Sequence, residues 1–102
     1  MMIKSKMETK ESIIKKIEGG KSELKLRGVK KIGLFGSFIK NKQKEKSDVD
    51  VLVEFNNLSF DNYMKVLYLL ERLTKRKVDL VIESDLKPEL EYIKKEVLYV
   101  KI

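Results

Sequence analysis

The spacing of hydrophobic residues changes several times along the chain, and each change predicts an element. Within 8–18, Ile13, Ile14 and Ile17 share a helical stripe, followed by Gly19-Gly20, then Leu24, Leu26 and Gly28. This spacing predicts one helix, broken or kinked at the glycine pair and ending near Gly28. Val29–Phe35 (VKKIGLF) is a short β-type run entering Gly36-Ser37, and 38–47 is polar and lysine-rich, with room for one helical turn at most. The clearest strand is 48–55 (DVDVLVEF), with Val49, Val51, Val53 and Phe55 on one face. Ser59 is placed to cap a helix running to about Arg76, its buried stripe formed by Tyr63, Val66, Leu67, Leu70 and Leu73. Val78–Ile82 (VDLVI) predicts a third strand. Pro88 suits the first turn of a last helix through about Glu96, with Leu90, Ile93 and Val97 as its apolar face. The order α-β-(α)-β-α-β-α predicts an α/β (α+β) domain with a small mixed three-stranded sheet flanked by helices. The apolar tail 98–102 (LYVKI) can dock on the protein itself or on a partner.

A length of 102 residues allows one small domain, 1–102. No apolar run reaches the roughly 18–20 residues of a membrane span, and 1–10 lacks the apolar centre of a signal peptide, so a cytoplasmic protein is expected. The chain has no Cys and no His. That excludes disulfides, thiolate nucleophiles, Cys-ligated zinc, imidazole bases and Ser–His–Asp triads. Carboxylates, hydroxyls, Lys and Arg remain, and carboxylates select hard cations such as Mg²⁺ or Mn²⁺. The net charge of +7 fits an anionic partner, and equally the lysine- and glutamate-rich surface of a heat-stable protein. Aromatic residues are 8% of the chain and do not interleave with arginine, so direct nucleic-acid binding is not expected.

Three features stand apart from the scaffold. Asp48 and Asp50 are spaced i, i+2 at the start of a strand, which puts both on one face, able to converge on one divalent ion or bracket two. Asp79 is the only charge inside VDLVI, costly there unless paired or coordinating a metal. If the second and third strands are neighbours, Asp79 joins the pair, and a divalent cation would relieve the mutual repulsion. Gly36-Ser37 ends the first strand, where a small residue and nearby N–H groups let a phosphate approach. Lys40, Lys42, Lys44 and Lys46 follow as counter-charge for a triphosphate. Each feature alone has a plainer explanation: a strand-end pair, an edge-strand charge, a turn, a solvated loop. Together, Gly-Ser, ten residues and Asp-x-Asp should arise by chance in such a chain only about once in a thousand.

Those residues, GLFGSFIKNKQKEKSDVDVLVEF, resemble the signature of the DNA polymerase β-type nucleotidyltransferase superfamily. At this length the chain looks most like its minimal nucleotidyltransferases, the MntA-type antitoxins. The resemblance implies the nucleotidyltransferase fold. It implies that Asp48, Asp50 and Asp79 hold Mg²⁺ (two ions, with Mn²⁺ an alternative), Asp48 and Asp50 being catalytic, and that Gly36 and Ser37 bind the nucleotide phosphates. Where the family often has Gly-Ser-x-Ala-Arg-Gly, this chain reads Phe38-Ile39-Lys40-Asn41. Lys40 keeps the charge toward the nucleotide but loses the guanidinium fork.

The resemblance further implies a protein adenylyltransferase that moves AMP from ATP to a tyrosine of a HEPN-domain (HepT-type) toxin, as the antitoxin of a type VII toxin–antitoxin pair. The rival readings are the same chemistry on a small molecule or an RNA end, and a non-catalytic antitoxin that acts by binding.

Overall fold

The computed structural model describes residues 8–40 and 47–102. Helix α1 is Lys10–Glu18, capped by the Thr9 side chain, which accepts from the Ser12 N–H. As expected, the chain breaks at Gly19-Gly20, and α2 (Lys21–Leu26) follows as a separate helix. Gly20 lies against Leu73, whose terminal methyl would have to move to admit a side chain. Strand β1 (Val29–Phe35) leads into a single 3₁₀ turn, Gly36–Phe38, and β2 is Val49–Phe55. Helix α3 is Phe60–Thr74, its first turn capped by Ser59 and its last residue followed by Lys75 in the left-handed conformation. Strand β3 is Val78–Ile82. Among the described residues, no helix is long and apolar enough to cross a membrane.

The last third departs from expectation. Instead of one helix from Pro88 to Glu96, the chain makes 3₁₀ turns at Glu83–Asp85 and Pro88–Leu90, then one helical turn, α4 (Ile93–Glu96). None of these turns buries a residue, so the spacing of Leu90, Ile93 and Val97 has no core to serve. Val97 is extended and begins a return to the sheet. Leu98–Tyr99 forms β4, antiparallel to β1, and the sheet therefore has four strands, in the order β3-β2-β1-β4, rather than three. The tail docks on the protein itself: Val100 is buried and its N–H donates to the Ile32 carbonyl at 2.8 Å.

The register sorts the residues into two faces. β1 and β2 are antiparallel and β2 and β3 parallel, with Val49 opposite Val78 and Asp50 opposite Asp79. Ile32, Leu34, Val49, Val51, Val53, Val78 and Leu80 join Ile13, Ile17, Leu24, Val66, Leu69 and Leu70 in one buried cluster, so α1–α3 cover this face. In the expected α3 stripe, Val66 and Leu70 are fully buried, while Tyr63, Leu67 and Leu73 pack at its margin. Rows on the opposite face run Phe35–Asp50–Asp79, then Gly33–Leu52, then Lys31–Glu54. The tail crosses this face at Gly33, where a Cβ would collide with Val97. Beyond the tail, the Asp50 row is left accessible.

Candidate active site

The accessible row lies where β1 ends and β2 and β3 begin. Asp48 immediately precedes β2 and is exposed, Asp50 is half-buried in β2, and Asp79 is exposed on the parallel neighbour. In-register neighbours in a sheet stand about 4.8 Å apart, with side chains on the same side. Burial, the charge of Asp79 and, more weakly, that of Asp48 push the Asp50 carboxyl above its ordinary value, and a hydrogen bond from the Ser37 backbone N–H partly offsets them. The three carboxylates thus share one electrostatic field. Among the described residues, no three acidic side chains are already arranged to hold a metal ion. The donor set nevertheless fits a hard divalent cation: it is all oxygen, it lies on one accessible face, and Asp50 carries a charge that its surroundings penalise.

Gly36 has φ +79°, and a Cβ there would collide with the Asp50 carboxylate. The glycine both makes the turn and makes room for Asp50, so that the N–H of Ser37 reaches it. The Gly-Ser pair thereby meets the carboxylates directly. Lys40 lies one turn further on: its backbone N–H donates to the Gly36 carbonyl at 3.1 Å, and its Nζ is 3.8 Å from Glu96 Oε1. Lys42, Lys44 and Lys46 lie outside the described residues.

Two further residues near the site are not marked by any sequence motif. Arg76 Nη1 donates to the Ser47 carbonyl at 3.1 Å, its Nε to Glu8 Oε1 at 3.0 Å, and its guanidinium lies 5.3 Å from the Phe38 ring centroid. One side chain thus grips the residue just before Asp48 and the residue just after Gly36-Ser37. The only available signal was an arginine in a chain whose positive charge is nearly all lysine, since only the planar fork serves several acceptors at once. Tyr63, expected only as a core residue, donates its hydroxyl to the Leu80 carbonyl at 2.6 Å, and burial together with the Asp79 charge raises its pKa.

A small mixed sheet with acidic side chains at one end of its open face and a Gly-Ser turn beside them defines a nucleotidyltransferase-type domain. The family profile described as nucleotidyltransferase domain matches residues 10–101, and the chain belongs to that family. It is 40% identical over 97 residues to protein adenylyltransferase MntA of Thermococcus cleftensis, covering 92% of this chain and 98% of that one. A solved structure assigned as a minimal nucleotidyltransferase superposes with a TM-score of 0.78 at 27% identity, covering 92% of this chain and 98% of its own. The same fold recurs in the complex of tri-AMPylated Shewanella oneidensis HEPN toxin with MNT antitoxin, with a TM-score of 0.61 at 18% identity, over 91% of this chain and 72% of that one.

Proposed function

We propose that this chain is a Mg²⁺-dependent protein adenylyltransferase that moves AMP from ATP onto a tyrosine hydroxyl of a HEPN-domain (HepT-type) toxin in the cytoplasm, and so serves as its antitoxin. Adenylyl transfer itself follows from membership of the family and from the 40% identity to a protein adenylyltransferase. The HEPN acceptor is supported by the Shewanella complex, whose toxin carries AMP. The observation that carries the chemistry is the in-register pairing of Asp50 with Asp79, with Asp48 two residues before Asp50 and the Gly36-Ser37 turn against it.

The acceptor oxygen attacks the α-phosphorus of ATP in line. One P–O bond forms, the bond from the α-phosphorus to its bridging oxygen breaks, and pyrophosphate leaves. Asp48, Asp50 and Asp79 would hold the divalent cation, which when bound neutralises charge at the attacked phosphorus and on the leaving pyrophosphate. Asp79, exposed at the edge of the site, is placed to take the hydroxyl proton. Ser37 and Gly36 fix the Asp50 carboxylate through the backbone, and Gly36, Ser37 and Lys40 would contact the phosphates. Positioning and preorganised charge supply the rate.

The test incubates the chain with ATP, Mg²⁺ and a purified HEPN-domain protein, and reads added AMP by mass spectrometry. Asp48→Ala and Asp50→Ala should each lose transfer by orders of magnitude while keeping the circular-dichroism spectrum of the fold. Either variant transferring AMP at the full rate overturns the assignment.

A further inference from the structure

The edge strand β3 carries a second feature that the chemistry above does not use. One residue beyond Asp79 begins a groove of about 580 Å³, walled by Leu58, Phe60, Tyr63, Leu80, Ile82 and Asp85. Phe60 opens α3 with 82% of its surface exposed, and Leu58 is half exposed, so the groove presents apolar surface to water.

Its floor is held rigid. The Lys77 carbonyl accepts from the Val49 N–H, so the odd residues of β3 pair with β2 and the even ones face outward. Two of those outward groups are plugged from α3: the Val78 N–H by the Glu71 carboxylate at 3.1 Å, and the Leu80 carbonyl by the Tyr63 hydroxyl. Among the described residues, no α3 side chain reaches the backbone of Ile82, where β3 passes into the Glu83–Asp85 3₁₀ turn.

We propose that this groove seats the acceptor protein, by an extended segment that carries an apolar anchor and a lysine or arginine close to the hydroxyl to be modified. The assignment rests on the adenylyl-transfer reading above and names the surface that delivers its substrate. Three observations select this occupant. The groove adjoins the site across the free edge of β3: Leu80, on the helix side, directly follows Asp79 on the open side, and Ile82 lies only about 10 Å further along the strand. Its charge is opposite to that of the chain: the protein has net charge +7, yet among the described residues the groove is lined by Asp85 and no lysine or arginine, the nearby Asp61 being paired with Lys65 at 3.1 Å. The Asp85 carboxylate disfavours the phosphates of a nucleotide and favours a basic segment. Its volume suits a few side chains of such a segment.

The test uses the full chain and, as probe, the HEPN-domain protein of the same genome, purified unmodified. Acceptor affinity without ATP, acceptor KM and kcat for AMP transfer, and ATP affinity are measured for the wild type, Phe60→Glu, Leu58→Glu and Asp85→Lys. Both apolar replacements are at exposed positions, and thermal melting checks that each variant folds. Phe60→Glu and Leu58→Glu should raise the acceptor Kd and KM at least tenfold, and Asp85→Lys severalfold, with ATP affinity and saturated kcat within twofold of wild type. Acceptor Kd values within twofold of wild type for all three, or no binding by the wild type, overturn the groove assignment. A wild type that binds the acceptor through this groove yet transfers no AMP overturns the adenylyl-transfer reading and leaves the groove standing.

Discussion

Arg76→Ala tests whether one side chain couples fold stability to catalysis. The substitution removes the hydrogen bonds to Ser47 and Glu8 and the stacking on Phe38. Arg76 and Glu8 are each only 14% exposed at the side chain, so neither charge is well hydrated once its partner is gone. Losing one partner of a fully buried pair costs about 3–5 kcal/mol, and hydrogen bonds to a charged group contribute about 1.5–3 kcal/mol each. Residual solvation and the remaining Lys16–Glu8 ion pair put the expected loss near 3 kcal/mol. At about 4–8 °C per kcal/mol for a domain of this size, Tm should fall by about 12–24 °C. Ser47 precedes Asp48 directly, so its release shifts a carboxylate proposed to hold the metal, and a displacement of 1 Å can cost about 100-fold in rate. Transfer is therefore measured well below the variant's Tm, with ATP affinity in parallel. The expected result is a kcat reduced by one to two orders of magnitude at nearly unchanged ATP affinity, with partial recovery in Arg76→Lys, which restores charge without the fork. A variant that melts early but retains full kcat would refute the coupling and leave Arg76 as a stabilising clamp alone.

The ionised Asp50 carboxylate is penalised by burial and by Asp79, so in metal-free buffer at pH 7 Asp50→Asn should melt no lower than wild type while its AMP transfer is abolished; differential scanning calorimetry beside the transfer assay checks both. Gly33→Ala drives a methyl into Val97 and should destabilise by about 1–3 kcal/mol, with faster hydrogen exchange at the Val100 amide as β4 loosens. Glu8 is partly buried, which opposes its ionisation, but hydrogen bonds from Lys16, Arg76 and Ser12 outweigh this and hold its pKa below the ordinary 4.5. The unfolded chain binds the proton first as pH falls, so Glu8 contributes stability above 4.5 that is lost on acidification below it. Urea midpoints at pH 7 and pH 3 should differ less in Glu8→Gln than in wild type.

How much of this was legible beforehand depends on how local each cause is. The two faces of β2 follow from a period of two, and the break at Gly19-Gly20 and the Ser59 cap are signals contained within a few residues. The fourth strand was hidden because Leu98–Tyr99 is too short to show a period, and its two residues stay partly exposed. Its cause lies in β1, where Gly33 leaves the space that Val97 crosses, and within VKKIGLF that glycine looks like any other strand residue. Arg76 was hidden for the same reason: its partners are 29 and 68 positions away.

The same alternation explains why so short a chain can carry a site. Odd residues of β2 meet the helices, so the even ones, Asp50, Leu52 and Glu54, must share the other face. The tail covers the middle of that face, burying Leu52, and the Lys31–Glu54 and Lys31–Glu83 ion pairs occupy its far end. Among the described residues, only the row of Asp50 and Asp79 lacks a cover, and there the Gly36 turn removes a side chain that would have blocked Asp50. A slip of one residue in β2 would send Asp50 into the apolar cluster and Val49 and Val51 into water, so the burial that sets the register also sets the carboxylates. The geometry of the site is therefore held by the core beneath it.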